Sequence, residues 1–268
     1  MTGELCANLL RRLPARLAQI LYYRFLRARA PRWRRLYKGA VPRFAPSCRM
    51  DLVPGDELSG AVAMTGVYEL EVSRFVINQA RRGGLLVDVG ANLGYHSLLW
   101  AAAGDGCRAL AVEASPDVFG LLQSNIAANP SLKIEAFHFA ASDQSGTLRF
   151  APSDNEQKGC GHVSADGPLE IPRRRIDEIL ADCGPVGLLK VDAEGHDLQV
   201  LTGASESIRK KAVASIVFES TPAEIASPRG RGVFEMLDES GYERPVHFGN
   251  IAEGVQTYFC SLKTCPPI

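Results

Sequence analysis

Two short runs in this 268-residue chain carry residue types and spacings that chemistry can use. The first is Asp88-Val89-Gly90-Ala91-Asn92-Leu93-Gly94, an acid followed by a glycine-lined turn. A tight turn from strand to helix lets backbone approach a ligand, and the helix N-terminus offers unpaired N–H groups. Nineteen residues past Gly94, Glu113 ends the next apolar run, where a carboxylate can accept both hydroxyls of a ribose. The turn reads Gly-x-Asn-x-Gly rather than Gly-x-Gly-x-x-Gly, and Asp88 before it repels a pyrophosphate but suits an ammonium. S-adenosyl-L-methionine brings such an ammonium and no phosphate. An NAD(P)-dependent oxidoreductase is the alternative, although no Tyr-x-x-x-Lys dyad for hydride transfer is present.

The second chemical region is Lys190-Val191-Asp192-Ala193-Glu194-Gly195-His196. Methyl transfer to an alcohol needs alignment and a route for one proton, so carboxylates and a histidine fit deprotonation of a hydroxyl. No Pro-Pro-aromatic motif for an exocyclic amine and no Pro-Cys nucleophile stands there. Glu194 or His196 is the expected base or hydroxyl-orienting group, with Asp192 and Lys190 fixing the strand end. Each has a plainer reading. Lys190 can simply pair with an acid, Asp192 and Glu194 can cap the next helix, and His196 can be surface polarity. His162 could reach in from a loop. Asp192 and Glu219 could share a divalent cation, but two acids are too few to assign a metal.

The elements that must position these groups alternate from residue 68 onward. Apolar runs at Leu85–Val89, Arg108–Glu113, Ile134–Ala140, Leu188–Asp192 and Ser215–Glu219 read as strands, with helices near 69–82, 94–103, 116–128 and 196–210. That alternation predicts an α/β fold: a mostly parallel sheet with helices on both faces. Residues 143–172 read as an insertion with one short strand, 147–150. A last helix (229–240) and two strands (245–249, 255–261) predict an antiparallel hairpin that closes the sheet.

Several runs together resemble the FkbM-type methyltransferase family: Tyr68-Glu69-Leu70-Glu71, Val87 through Tyr95, Val112-Glu113-Ala114-Ser115-Pro116, Asn125, Ala140-Ala141-Ser142-Asp143, Leu189 through Asp197, and Phe218-Glu219. The resemblance covers roughly residues 68–219. It implies a Rossmann-like class I methyltransferase that uses S-adenosyl-L-methionine on a hydroxyl of a sugar, glycolipid, polyketide-type or other small-molecule acceptor. It also implies that Glu71, Asp88, Gly90, Asn92, Gly94 and Glu113 hold the cofactor, with Ser142 and Asp143 beside the adenine.

Composition adds one asymmetry. The whole chain holds 30 Lys+Arg and 30 Asp+Glu; residues 1–50 hold 12 of the cations and one acid, +11, leaving 18 against 29, −11, in residues 51–268. An acidic body argues against nucleic acid as the main partner. Residues 5–30 read as a basic amphipathic helix: Leu9, Leu10, Leu13, Leu17, Ile20, Leu21 and Phe25 recur at helical steps among arginines, and Pro14 interrupts them. Such an arm, continued by the basic 32–38 burst, can lie on an anionic membrane, pack on the body, or bind a second subunit or RNA. A retained cofactor pocket on a membrane-associated, non-catalytic binding protein is a further alternative. The expected organisation is residues 1–55 as a helical extension and 56–268 as the methyltransferase domain. Seven cysteines without CxxC spacing and no long apolar run predict a cytoplasmic protein, peripheral on a membrane at most.

Overall fold

The run Gly84–Val89 has nearly no polar side chain except Asp88, and it becomes β1, the strand buried on both faces. In the computed structural model, which describes residues 2–153, 161–181, 183–248 and 254–263, Leu85, Val87 and Val89 point to one side and Leu86 to the other. Period-two alternation with apolar residues on both sides is what a covered parallel sheet requires.

Two helices, α1 (Gly3–Arg12) and α2 (Ala15–Leu21), precede α3 (Glu57–Thr65) and α4 (Leu70–Ala80). Strand β1 leads to α5 (Tyr95–Ala101), β2 (Cys107–Glu113), α6 (Pro116–Ala127) and β3 (Ile134–His138). Four short strands follow, β4 (Ala140–Ala141), β5 (Gly146–Ala151), β6 (His162–Val163) and β7 (Leu169–Arg174), then α7 (Ile176–Leu180) and β8 (Val186–Val191). The chain continues with α8 (Asp197–Gly203), α9 (Ser205–Arg209), β9 (Val213–Ser220), α10 (Pro222–Ala226), α11 (Pro228–Glu239), β10 (Val246–Phe248) and β11 (Gln256–Ser261).

The main sheet has seven strands in the order β10-β11-β9-β8-β1-β2-β3. Strands β3, β2, β1, β8 and β9 run parallel, and β11 and β10 are antiparallel additions at the far edge. The order reverses at β1/β8, so the crevice at the carboxyl ends of these two strands is where an open α/β sheet binds its ligand. One face carries α4, α5 and α6, with Val76, Leu98, Trp100 and Val118 buried against Leu86 and Leu188. The other carries α7, α8, α9 and α11, with Ile176, Val200, Ile208 and Leu237 against Leu85, Val87 and Val89. Each fully buried aliphatic side chain contributes about 1.5–3 kcal/mol.

Three differences from the sequence reading have local causes. The expected third strand breaks after His138, and Ala140–Ala141 leaves to pair with β7 in a second sheet of order β4-β7-β5-β6. The insertion carries three strands, β5, β6 and β7, where one was expected at 147–150. The expected helix 196–210 is two helices, divided at Ala204, whose backbone (φ −105°, ψ 7°) leaves the helical region. Beside the break Gly203 packs so close to Ser142 that a Cβ there would stand 2.0 Å from the Ser142 carbonyl oxygen. The amphipathic arm is likewise not one helix: Pro14 opens α2, and Tyr22–Leu26 forms a π-helical turn. Strand 245–249 is seen as β10 up to residue 248; residue 249 lies outside the described residues.

The arm seats mostly small residues inward, together with Leu10 and Tyr22. Cys6, Ala7, Leu10, Ala18, Tyr22 and Ala30 bury against Ala61 and Met64 of α3. Arg11 donates to the Val41, Val62 and Ala63 carbonyls, answering the open end of α3. Residues Tyr37, Cys48, Met50 and Leu52 belong to the same buried cluster as Val76 and Leu98, so packing is continuous across residue 55. Asn125 holds this connection down: its Oδ1 accepts from the Asp51 N–H at 2.7 Å and its Nδ2 donates to the Asp51 and Leu93 carbonyls.

Candidate active site

At the crossover between β1 and β8 a cleft of about 1130 Å3, counting its open mouth, is walled by α3, the β1–α5 turn, the ends of β2, β8 and β9, and the second sheet. The turn 90–94 works through backbone geometry. Gly90 has φ +69°, and a Cβ there would stand 1.8 Å from the Asp192 carbonyl oxygen. Asn92 is also left-handed, φ +51°, a conformation Asn tolerates better than most residues. Its N–H donates to Glu113 Oε2 at 2.9 Å, and the Ser115 N–H donates to Oε1 at 2.8 Å. The Glu113 carboxylate is thus fixed at the cleft wall with lone pairs to spare, and burial raises its pKa despite these bonds.

Behind the turn lies a buried ion pair. Lys190 Nζ sits 3.5 Å from Asp88 Oδ1 and 3.3 Å from Asp192 Oδ2. Burial alone would lower the lysine pKa, but Asp192, Asp88 and Glu69 outweigh it and hold the ammonium charged. Asp88 is fully buried and also accepts from Ser97 Oγ at 2.7 Å.

The acceptor end gathers acids. Glu69 (φ +39°) and Glu194 (φ +48°) both occupy left-handed backbone, an arrangement of order 1–3 kcal/mol in cost that persists only where surroundings impose it. Burial, then Asp192, push Glu69 up to about 8 and Glu194 up to about 7. Glu219 at the end of β9 is raised by the same two causes and accepts from Thr257 Oγ1 at 3.1 Å. The loop that displays Glu194 is pinned by Asp197, whose carboxylate accepts from the Ala193 N–H at 3.1 Å and the Glu219 N–H at 3.0 Å. His196 Nε2 meets Ser142 Oγ at 2.9 Å, and Ser142 in turn reaches Asp143 Oδ1. Burial lowers the His196 pKa, so the ring is neutral near pH 7.

Several expected residues therefore meet in one place and others do not. Gly90, Asn92, Glu113, Lys190, Asp192, Glu194 and His196 line the cleft. Asp88 stands behind it, holding Lys190 and α5. Glu71 lies on the outer face of α4, paired with Arg74 at 3.4 Å, and it is Glu69, two residues earlier, that lines the cleft. The register that separates them is the N-terminus of α4, which begins at Leu70 and turns Glu71 outward. Gly94 packs α5 on Leu122, while Asp143 pairs with Arg229 at 2.7 Å just outside the wall. His162 on β6 borders the mouth. The described residues hold no cluster of three or more metal-ligating side chains. Tyr68, Glu69 and Asp197 stand inside the quoted runs with no role assigned to them, and His96 lies just past the glycine turn; each carries only a general signal in the sequence, an acid or aromatic beside a helix start.

Residues 88–244 match the family "Methyltransferase FkbM domain", well over half of the chain. The chain belongs to the FkbM methyltransferase family. The match extends past residue 219 to take in α11, which the quoted motifs did not reach. A curated relative, the hexuronic acid methyltransferase AglP of Haloferax volcanii, is 32% identical over 144 residues, covering 53% of this chain and 58% of the relative. The chain thus spans little more than half of that protein's length. The methyltransferase sdnD of Sordaria araneosa is 26% identical and aligns with 59% of this chain and 73% of its own. Among solved structures, cofactor-bound Rv0187 from MTB superposes with TM-score 0.47 at 14% identity, covering 74% of this chain and 82% of that one.

The cofactor of this FkbM methyltransferase is S-adenosyl-L-methionine, and the donor set suits it. Among the described residues, seven carboxylates line the cleft (Asp56, Glu57, Glu69, Glu113, Asp192, Glu194, Glu219) against one cation, Lys190, which its own acids already occupy. Such a wall favours a ligand with ammonium and sulfonium charges and disfavours the two phosphates of NAD(P). Gly90 is where backbone must come closest. Gly90→Ala is expected to cost about 1–3 kcal/mol, from the clash with Asp192 and the left-handed φ. Its melting temperature should fall and S-adenosylhomocysteine should no longer raise it; a wild-type melt and response would remove Gly90 from the cofactor turn.

Proposed function

We propose that this FkbM methyltransferase is an S-adenosyl-L-methionine-dependent O-methyltransferase acting on a neutral hydroxyl of a sugar or other small-molecule acceptor. The observation that supports this most is the group of carboxylates at the acceptor end, with Glu194 pushed up to about 7. A base whose pKa lies near the working pH combines a useful deprotonated fraction with real proton affinity. When bound, S-adenosyl-L-methionine supplies a methyl group on a positively charged sulfur.

The chain's residues then have separate tasks. Glu113, braced by the Asn92 and Ser115 N–H groups, is placed to accept ribose hydroxyls. Glu69, Asp192 and Glu219 give the region a negative field that offsets cationic charge. Glu194, at the open mouth, takes the hydroxyl proton, and Asp197 keeps its loop in place. The neutral His196 donates or accepts a hydrogen bond through Ser142 and orients the acceptor side.

The Haloferax relative is a hexuronic acid methyltransferase, and the carboxylate of a hexuronic acid would face like charges here. The site favours a hydroxyl over that carboxylate. Incubation with methyl-labelled S-adenosyl-L-methionine and neutral or uronic-acid oligosaccharides separates the two, because methyl ethers survive mild alkali and methyl esters do not. Alkali-stable label on neutral glycans is expected; label that is wholly alkali-labile would transfer the reading to carboxyl methylation. A melting shift with NAD(P) and none with S-adenosylhomocysteine would instead favour an oxidoreductase.

A further inference from the structure

Eight large apolar side chains are exposed among the described residues, and six lie between residues 5 and 25: Leu5, Leu9, Leu17, Ile20, Tyr23 and Phe25. Phe25 is 64% and Ile20 56% exposed. The residues facing the body are other ones. Helix α1 seats Gly3, Cys6, Ala7 and Leu10 inward, and α2 seats Ala18. At helical spacing Leu5 and Leu9 fall on the opposite side of α1, and Ile20 on the opposite side of α2 with Leu17 on its flank. Both helices rest on α3, so both outer faces point away from the body. The two tightest seats fix this choice: a Cβ at Gly3 would overlap the Trp33 ring, and one at Gly60 would overlap the Tyr22 hydroxyl.

Cations border the same face. Arg12, Arg16, Arg24, Arg29 and Arg32 are exposed and have no carboxylate within ion-pair distance among the described residues. Arg27 reaches Glu57 at 2.9 Å, and Glu57 lines the cleft, so α3 joins the arm to the active site. No described helix is long and apolar enough to cross a membrane. An outward apolar strip rimmed by unpaired arginines matches a surface that is apolar just below an anionic layer. A second copy of this chain would oppose the same arginines with arginines.

We propose that the outer face of α1, α2 and the π-helical turn docks on an anionic lipid bilayer, with Leu9, Ile20 and Phe25 entering the interface and the arginines meeting lipid headgroups. The docking serves to hold the cleft beside the membrane and takes no part in catalysis.

The test uses the full chain with vesicles of phosphatidylcholine alone and of phosphatidylcholine with phosphatidylglycerol, read by cosedimentation. Binding is expected only with phosphatidylglycerol, and it should weaken in high salt. Arg16→Ala should lower the partition coefficient about fivefold, the effect of one cation near such a surface. The double variant Ile20→Glu/Phe25→Glu should abolish binding while its melting shift with S-adenosylhomocysteine stays that of the wild type. Absence of binding by the wild type, or equal binding by the double variant, would overturn the proposal. So would a wild-type dimer in light scattering that the double variant dissolves, since a second copy would then own the face.

Discussion

Glu194→Gln is expected to lower kcat for methyl transfer by about 10²–10⁴-fold, the usual worth of a positioned acid–base group. Affinity for S-adenosylhomocysteine should change little, because Glu113 and the 90–94 turn are untouched. The substitution keeps the side chain's shape and meets the same left-handed backbone at φ +48°, so any loss reports the carboxylate itself. The pH profile is the sharper readout. With Glu194 pushed up to about 7, wild-type rate should climb as pH passes that value and the carboxyl gives up its proton. In Glu194→Gln that limb should vanish. A limb that survives there and vanishes in Glu69→Gln would make Glu69 the base.

Stability should move with pH in a related way. A carboxyl whose folded pKa exceeds its ordinary 4.5 binds protons more tightly folded than unfolded. Its contribution is complete below about 4.5 and is lost as pH rises through about 7. Wild type should therefore lose ground to Glu194→Gln between those values, and a melting difference constant over that range would contradict the raised pKa.

How much of the fold is legible in the sequence follows from which interactions are local. The β1 turn and the Lys190–His196 run announce themselves because short spacing fixes them: a strand end, a glycine turn and acids within a few residues. The parallel sheet was legible because strands buried on both faces must be apolar throughout. Glu69 was not, since its place depends on α4 beginning at Leu70 and on a left-handed residue that neither propensity nor periodicity reveals. Asp88 shows the converse. Its position beside the glycine turn suggests a ligand contact, yet Ser97 and Lys190, 9 and 102 residues away, claim it. The arm's regularity left its contact face open between the body, a membrane and a partner. Its large apolar residues repeat at helical steps, but close approach to α3 selects the small ones, Ala7, Ala18 and Ala30, for the interior.

The Lys190–Asp88 pair gives the second large effect. Lys190→Met should destabilise the protein by about 3–5 kcal/mol, because it leaves Asp88 buried with no compensating charge. At roughly 2–4 °C per kcal/mol for a chain of this size, the melting temperature should fall by about 6–20 °C. The loss should not come from the methionine, which fills nearly the volume of the lysine stem. Asp88 Oδ1 has no hydrogen-bond partner in the structure, only the ammonium at 3.5 Å, so Lys190 is the partner that balances that oxygen. Adding Asp88→Asn to Lys190→Met removes the stranded charge and should return most of the lost stability, since a neutral amide can still accept from Ser97. Strictly additive losses in the double variant would mean that the two groups do not interact and that Lys190 is held by Asp192 alone. Recovery of stability without recovery of methyl transfer would separate the two tasks of Lys190, neutralising Asp88 within β1 and positioning Asp192 at the end of β8.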